Sequence, residues 1–218
     1  MDLTEGFVII PNIFTKEKIE SCREEILNFK KKGKRGIINS GGLSIPDFIK
    51  YEDLKQTISL KEDTKLLDHL DKIFQGKNYR FCSHNDIGIN RTVGWHKDKL
   101  NGEYSKFQKT DIWSSMDGEK HEIVKVLIYL EDHSNDNNGL KAVPKSHLKR
   151  EINPSGWIQL KPKIGDVIIF DQRITHAGMS KQTKNSRILV SFGFGKNNIF
   201  TDEFELGTIK RQNNQNKK

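Results

Sequence analysis

The chain has 218 residues, of which 34% are hydrophobic, and carries a formal charge of +8. That length supports a real core in one domain, and the apolar residues come in short runs, which excludes a disordered chain. No run approaches a membrane span, and nine positive charges sit in 30–35 (KKKGKR) and 210–218 (KRQNNQNKK), leaving a body near −1 that argues against a nucleic-acid partner.

The opening MDLTEGFVIIP is acidic with a very short apolar run and does not read as a signal peptide. Cys22 and Cys82 lie far apart and are expected as reduced, buried thiols, which points to the cytoplasm. Residues 6–11 read as a strand stopped by Pro11. Thr15 is placed to cap a helix over 16–30, whose Ile19, Cys22, Ile26 and Phe29 fall on one face. The Gly- and Pro-containing stretch 33–46 reads as a loop. A second helix is predicted over 61–75 from the spacing of Leu66, Leu67, Leu70, Ile73 and Phe74. Strand patterns then take over at 79–89, 123–130, 157–160, 167–170 and 187–194. Residues 99–121 suit a lid or substrate loop. Helices followed by many short strands predict a mainly β fold, a barrel or jelly roll with helices packed outside. The expected division is one domain over 1–207 and a basic, mobile tail over 208–218.

One set of residues carries chemistry. His96 and Asp98 are two apart on an extended segment, so their side chains share a face. With His176 they make two imidazoles and one carboxylate, which leave open positions on an octahedral metal and suit non-haem Fe(II). Arg187 follows with a bidentate fork for a carboxylate. Taken alone, the same residues also fit two surface polar groups and a hydrogen-bonded core histidine. On the strand at 187–194, Ser191 shares the Arg187 face and is a candidate for a further hydrogen bond to the same ligand. Lys125 either reaches a carboxylate in the site or points outward into solvent. His147 reads as a structural turn residue, and His84, His121 and His133 as surface or supporting groups.

The text around these residues resembles the phytanoyl-CoA dioxygenase family. The resemblance rests on GLKAVPKSH at 139–147, GDVIIFDQRITHAG at 165–178, an Arg about ten residues on, and the opening GFVIIPNIFTKEKIE. It implies a double-stranded β-helix (jelly roll) and binding of Fe(II) by His96, Asp98 and His176. It also implies that Arg187 holds the distal carboxylate of 2-oxoglutarate; Ser191 and Lys125 stay candidates for further contacts by their strand positions alone. The implied reaction consumes O2 and hydroxylates a small-molecule substrate, releasing succinate and CO2. Asp98 favours hydroxylation over halogenation, because related halogenases lack the carboxylate. Desaturation, epimerisation or halogenation at the same site, or a silent jelly-roll binding module, are the alternatives. The family's small glycine before the Ser-His pair is Lys145 here. The basic run at 30–35 hints at an anionic substrate.

Overall fold

A period of two along the central strands sorts side chains between an outer and an inner layer. The computed structural model describes residues 3–33, 36–39, 41–76, 78–98, 103–178 and 186–217. In chain order the elements are β1 (Phe7–Ile10), α1 (Lys16–Lys31), β2 (Ile37–Asn39), β3 (Gly42–Pro46), α2 (Lys55–Ser59), α3 (Thr64–Ile73), β4 (Tyr79–Ile89) and α4 (Glu103–Phe107). They continue with β5 (Ile123–Tyr129), β6 (Lys141–Ala142), β7 (Ile158–Gln159), β8 (Val167–Asp171), β9 (His176–Ala177), β10 (Ile188–Lys196) and α5 (Ile199–Asn216).

The strands form a major antiparallel sheet in the order β1-β8-β5-β10-β4-β3-β2 and a minor sheet in the order β7-β6-β9. Together they make the expected double-stranded β-helix. On β5 and β10, Val124, Val126, Ile128, Ile188, Val190, Phe192 and Phe194 face outward into a core shared with Ile19, Cys22 and Ile26 of α1 and Leu66 and Leu70 of α3. Leu127, Tyr129, Ile168 and Phe170 face inward, where they meet Leu140 and Ala142. Each large apolar side chain so buried contributes roughly 1.5–3 kcal/mol, so a one-residue register slip would exchange the two layers and is strongly opposed. Thr15 caps α1 as the sequence predicts, its Oγ1 accepting from Lys18 N at 3.3 Å.

Three expectations change. The stretch 33–46 is not a loop, because β2 and β3 form a hairpin that extends the major sheet through β4. The second helix is shorter than 61–75, with the 3-10 turn Leu60–Glu62 before Thr64. The segment from 208 is not a free tail, since α5 runs to Asn216 and buries Thr208 and Gln212. Gln212 Nε2 donates to the Ser83 and Asn85 carbonyls, at 3.1 and 3.4 Å. Lys34 and Arg35 of the basic run, and residues 99–102 of the expected lid, lie outside the described residues.

Glu131 ties the start of β10 to α1. Its Oε2 accepts from Ile188 N at 2.9 Å, and its Oε1 meets Arg23 Nε at 3.1 Å. Burial pushes its carboxyl up to about 7, against the pull of the Ile188 N–H and Arg23. Between the ordinary carboxylate range and that value the folded chain holds a proton that the unfolded chain releases. This group therefore costs stability as pH rises through the window. Glu131→Gln is expected to gain stability relative to the parent on going from pH 5 to pH 7.5, by on the order of 2 kcal/mol. Urea unfolding of both proteins at both pH values measures it; an equal difference at the two pH values would contradict the assignment.

Candidate metal centre

The segment carrying His96 joins the edge of the minor sheet. His96 and His176 exchange both backbone hydrogen bonds at 3.0 Å, which sets the two rings 4.2 Å apart between centroids. Each ring is oriented by its Nδ1. That of His96 lies 2.8 Å from the Gly94 carbonyl and that of His176 lies 3.0 Å from the Ile174 carbonyl. A carbonyl only accepts, so each Nδ1 carries the proton and each Nε2 presents a lone pair. Both point at Asp98, with His96 Nε2 3.5 Å from Oδ1 and His176 Nε2 3.9 Å from Oδ2. The three ligand atoms lie within 4.8 Å of one another. Burial, with His96 beside it, pushes His176 down to about 3, so its imidazole is neutral. Burial alone would raise the Asp98 carboxyl, but the Lys125 ammonium beside it leads the pull that holds it well below the usual range.

Lys125 points inward, not into solvent. Its Nζ lies 2.9 Å from Asp98 Oδ2 as an ion pair, and among the described residues Oδ2 has no hydrogen-bond donor. A buried carboxylate oxygen without a donor costs free energy, which a metal ion at that point would relieve.

The residue between the ligands anchors them. Lys97 is 1% exposed, and its Nζ donates to the Ser146 and Arg173 carbonyls, both at 2.6 Å. It thus ties the first ligand pair to the turn and loop flanking β9. Lys97→Met leaves both carbonyls without this donor and is expected to cost about 2 kcal/mol, a fall in melting temperature of roughly 4–8 °C. Thermal unfolding measures this, and an unchanged midpoint would contradict the anchoring role.

The centre opens on a cavity of about 530 Å³. Its floor is the inner face of β4, β5 and β10, where Ser191 pairs with Leu127 and Asp86, and Leu189 with Tyr129 and Gly88. Arg187 lines this cavity and is 5% exposed. Its Nη1 donates to the Asn138 carbonyl at 2.9 Å, its Nη2 to the Arg91 carbonyl, and its backbone N–H to Asn90 Oδ1 at 2.7 Å. Those bonds fix the guanidinium and leave its buried Nε without a partner among the described residues. Ser191 Oγ donates to the Asp86 carbonyl at 3.2 Å and lies 3.3 Å from His84 Nε2.

Tyr129 is a site residue that the sequence reading missed. Its hydroxyl is buried without a hydrogen-bond partner among the described residues, and it lines the same cavity. Burial pushes the phenol up to about 12, so it remains a donor. The signal was available, because Tyr129 is two positions from Leu127 and four from Lys125 on an alternating strand. His84, His121 and His133 are all buried rather than on the surface. Among them His84 lines the cavity, and His133 Nδ1 lies 3.0 Å from Asp136 Oδ2. His147 is buried in its turn, where its carbonyl accepts from Trp113 Nε1 at 3.0 Å.

The donor set fits a ferrous ion, and the unpartnered Arg187 Nε and Tyr129 hydroxyl fit a carboxylate at the cavity's other end. Two neutral imidazoles and a carboxylate leave coordination positions open, unlike a closed structural zinc site.

Comparison with known proteins agrees with this chemistry. A model of the phytanoyl-CoA dioxygenase family matches residues 3–189. Among curated proteins, none matches. Among solved structures the chain is similar to HygX from Streptomyces hygroscopicus, seen with nickel and 2-oxoglutarate bound, at 20% identity over 89% of this chain and 84% of that one, with a TM-score of 0.66. It is similar to AviO1 from Streptomyces viridochromogenes Tue57 at 16% identity over 89% and 91% of the two chains, TM-score 0.68. A third, the non-haem α-ketoglutarate-dependent epimerase SnoN from nogalamycin biosynthesis, shares 14% identity over 91% and 85%, TM-score 0.66. At such identities the shared property is the fold.

Proposed function

Because the chain belongs to the phytanoyl-CoA dioxygenase family, whose members use Fe(II), 2-oxoglutarate and O2, we propose that it hydroxylates a small molecule and releases succinate and CO2. The observation that carries this reading is the convergence of His96, Asp98 and His176 on one point at the edge of a cavity that Arg187 also lines.

In this reading His96, Asp98 and His176 hold the iron, and Arg187 holds the distal carboxylate of 2-oxoglutarate. The chemistry supplied by the bound iron is O2 activation coupled to oxidative decarboxylation of 2-oxoglutarate and oxygen transfer to a C–H bond. The chain's own contribution is orientation. The Gly94 and Ile174 carbonyls lock the two imidazoles in the ligating tautomer. Lys97 holds the ligand segment in register with β9. Arg187 arrives pre-fixed by two carbonyls, so little side-chain freedom is lost when a carboxylate binds. Tyr129 donates its otherwise unpaired O–H to that carboxylate. Lys125, paired with Asp98 at 2.9 Å, would stand as a cation beside a co-substrate bound at an iron held by that carboxylate, with Ser191 lining the same cavity. Leu127, Leu140, Phe170 and Leu189 make the wall apolar and exclude water from the reacting centre.

Asp98 fills the position that a halide would need, which favours hydroxylation over halogenation. Epimerisation and ring closure are performed on the same fold by SnoN and SnoK, so product mass is the discriminator. Hydroxylation adds one oxygen, epimerisation leaves the mass unchanged, and desaturation or cyclisation removes two hydrogens. The test is succinate formation from 2-oxoglutarate with Fe(II), ascorbate and a panel of small molecules. Iron-dependent succinate is expected from the parent and not from His96→Ala. Absence of both iron binding and turnover in the parent would favour a binding module. Two buried, free cysteines suit the reducing cytoplasm as its location. No helix among the described residues is long and apolar enough to cross a membrane.

A further inference from the structure

The cavity beside the metal centre holds more positive charge than the proposed chemistry uses. Arg91, Lys125, Arg187 and Arg211 line it, against the carboxylates of Asp86 and Asp98. A ferrous ion and a 2-oxoglutarate dianion cancel one another, so among the described residues a loaded site keeps an excess of two positive charges. Of the four cations, the proposed function employs Arg187 and Lys125. Arg91 and Arg211 remain.

Their placement is built. Asp86, on the inner face of β4, binds Arg211 Nη2 through both oxygens, at 3.1 and 2.8 Å. Arg211 Nη1 donates to Gln215 Oε1 at 2.7 Å, so α5 delivers its cation into the cavity already oriented. Arg91 lies across Gly88, where an added Cβ would stand 3.3 Å from Arg91 Cδ. The absence of a side chain at 88 therefore makes the bed for this arginine. Its Nε is buried and has no hydrogen-bond partner among the described residues. Burial lowers its guanidinium from the usual range, with Asp86 opposing. A half-buried guanidinium whose buried Nε–H is unmet among the described residues, in a cavity with excess positive charge, is stabilised by an incoming oxyanion.

We propose that Arg91 and Arg211 form a substrate-recognition subsite for an oxyanion group, a carboxylate or a phosphate, carried by the molecule that the enzyme oxidises. The inference rests on the proposed function and names the substrate class of that same site. It also gives the C-terminal helix a purpose: the substrate's anionic end is gripped by α5 while its reactive carbon faces the iron.

The test is calorimetric titration of the anaerobic Fe(II)–2-oxoglutarate complex with three probes, benzoate, phenyl phosphate and neutral benzamide. The complex itself is followed by the visible absorption of the iron–2-oxoglutarate chelate. At least one anionic probe is expected to bind tenfold or more tightly than benzamide, and the tighter of the two identifies carboxylate or phosphate. Arg91→Gln and Arg211→Gln are each expected to weaken that probe tenfold or more while 2-oxoglutarate affinity moves less than twofold. Anionic probes binding no better than benzamide would overturn the subsite. Equal loss of probe and 2-oxoglutarate affinity in Arg91→Gln would also overturn it, assigning Arg91 to the co-substrate and leaving the proposed function standing. Failure of the parent protein to form the chelate would instead bring down the proposed function, and the subsite with it.

Discussion

Replacing His176 with alanine is expected to lower Fe(II) affinity by more than ~100-fold and to bring succinate release to background. The magnitude follows from coordination: losing a group that merely orients a ligand costs 10–100-fold, and losing the ligand itself exceeds that. His176 is buried and is placed by backbone bonds that alanine keeps, since both bonds to His96 come from the main chain. Its imidazole Nδ1 bond to the Ile174 carbonyl is lost, so a modest drop in stability accompanies the effect without explaining it. Anaerobic equilibrium dialysis against Fe(II) measures the affinity, and thermal unfolding supplies the control for folding. A folded His176→Ala protein that keeps parental iron affinity would remove His176 from the metal centre.

Arg187→Ala acts on the other end of the cavity. It is expected to weaken 2-oxoglutarate by about 3 kcal/mol, on the order of 100-fold, because a charged bidentate contact is lost. Iron affinity should stay within about threefold, since the guanidinium touches none of the three ligands. The variant also strips donors from the Asn138 and Arg91 carbonyls. Arg187→Lys is therefore the informative companion: it keeps the charge, loses the planar fork, and should fall between parent and alanine. Titration of 2-oxoglutarate into the iron-loaded proteins separates the two affinities. Equal losses of iron and 2-oxoglutarate binding would contradict the role given to Arg187.

Much of this was legible in the sequence because it is local and periodic. Ile188 to Phe194 alternates cleanly, so its two faces could be assigned before any coordinates, and 123–130 stands out as a strongly β-prone run. The order His96, Asp98, His176, Arg187 sits in recognisable text, and the structure gathers the first three. What stayed hidden depends on contacts distant in the chain. The hairpin at 37–46 has no long apolar run; it is a strand pair because β4 offers it an edge. The end of α5, from 208, is expected as a mobile tail because KRQNNQNKK carries no apolar residue. It holds its place through polar bonds, with Gln212 on the Ser83 carbonyl and Arg211 on Asp86. Lys97 looks like a spacer between two ligands, and its role appears only when the Ser146 and Arg173 carbonyls, far along the chain, meet its ammonium. Lys125 had two readings, and its inward rotamer follows from Asp98.

The most direct measurement is anomalous diffraction at the iron absorption edge from crystals grown without oxygen in Fe(II) and 2-oxoglutarate. The account predicts a single peak bonded to His96 Nε2, His176 Nε2 and an Asp98 oxygen, with the co-substrate's far carboxylate on Arg187. A peak elsewhere, or none between those three side chains in protein shown to contain iron, would contradict it.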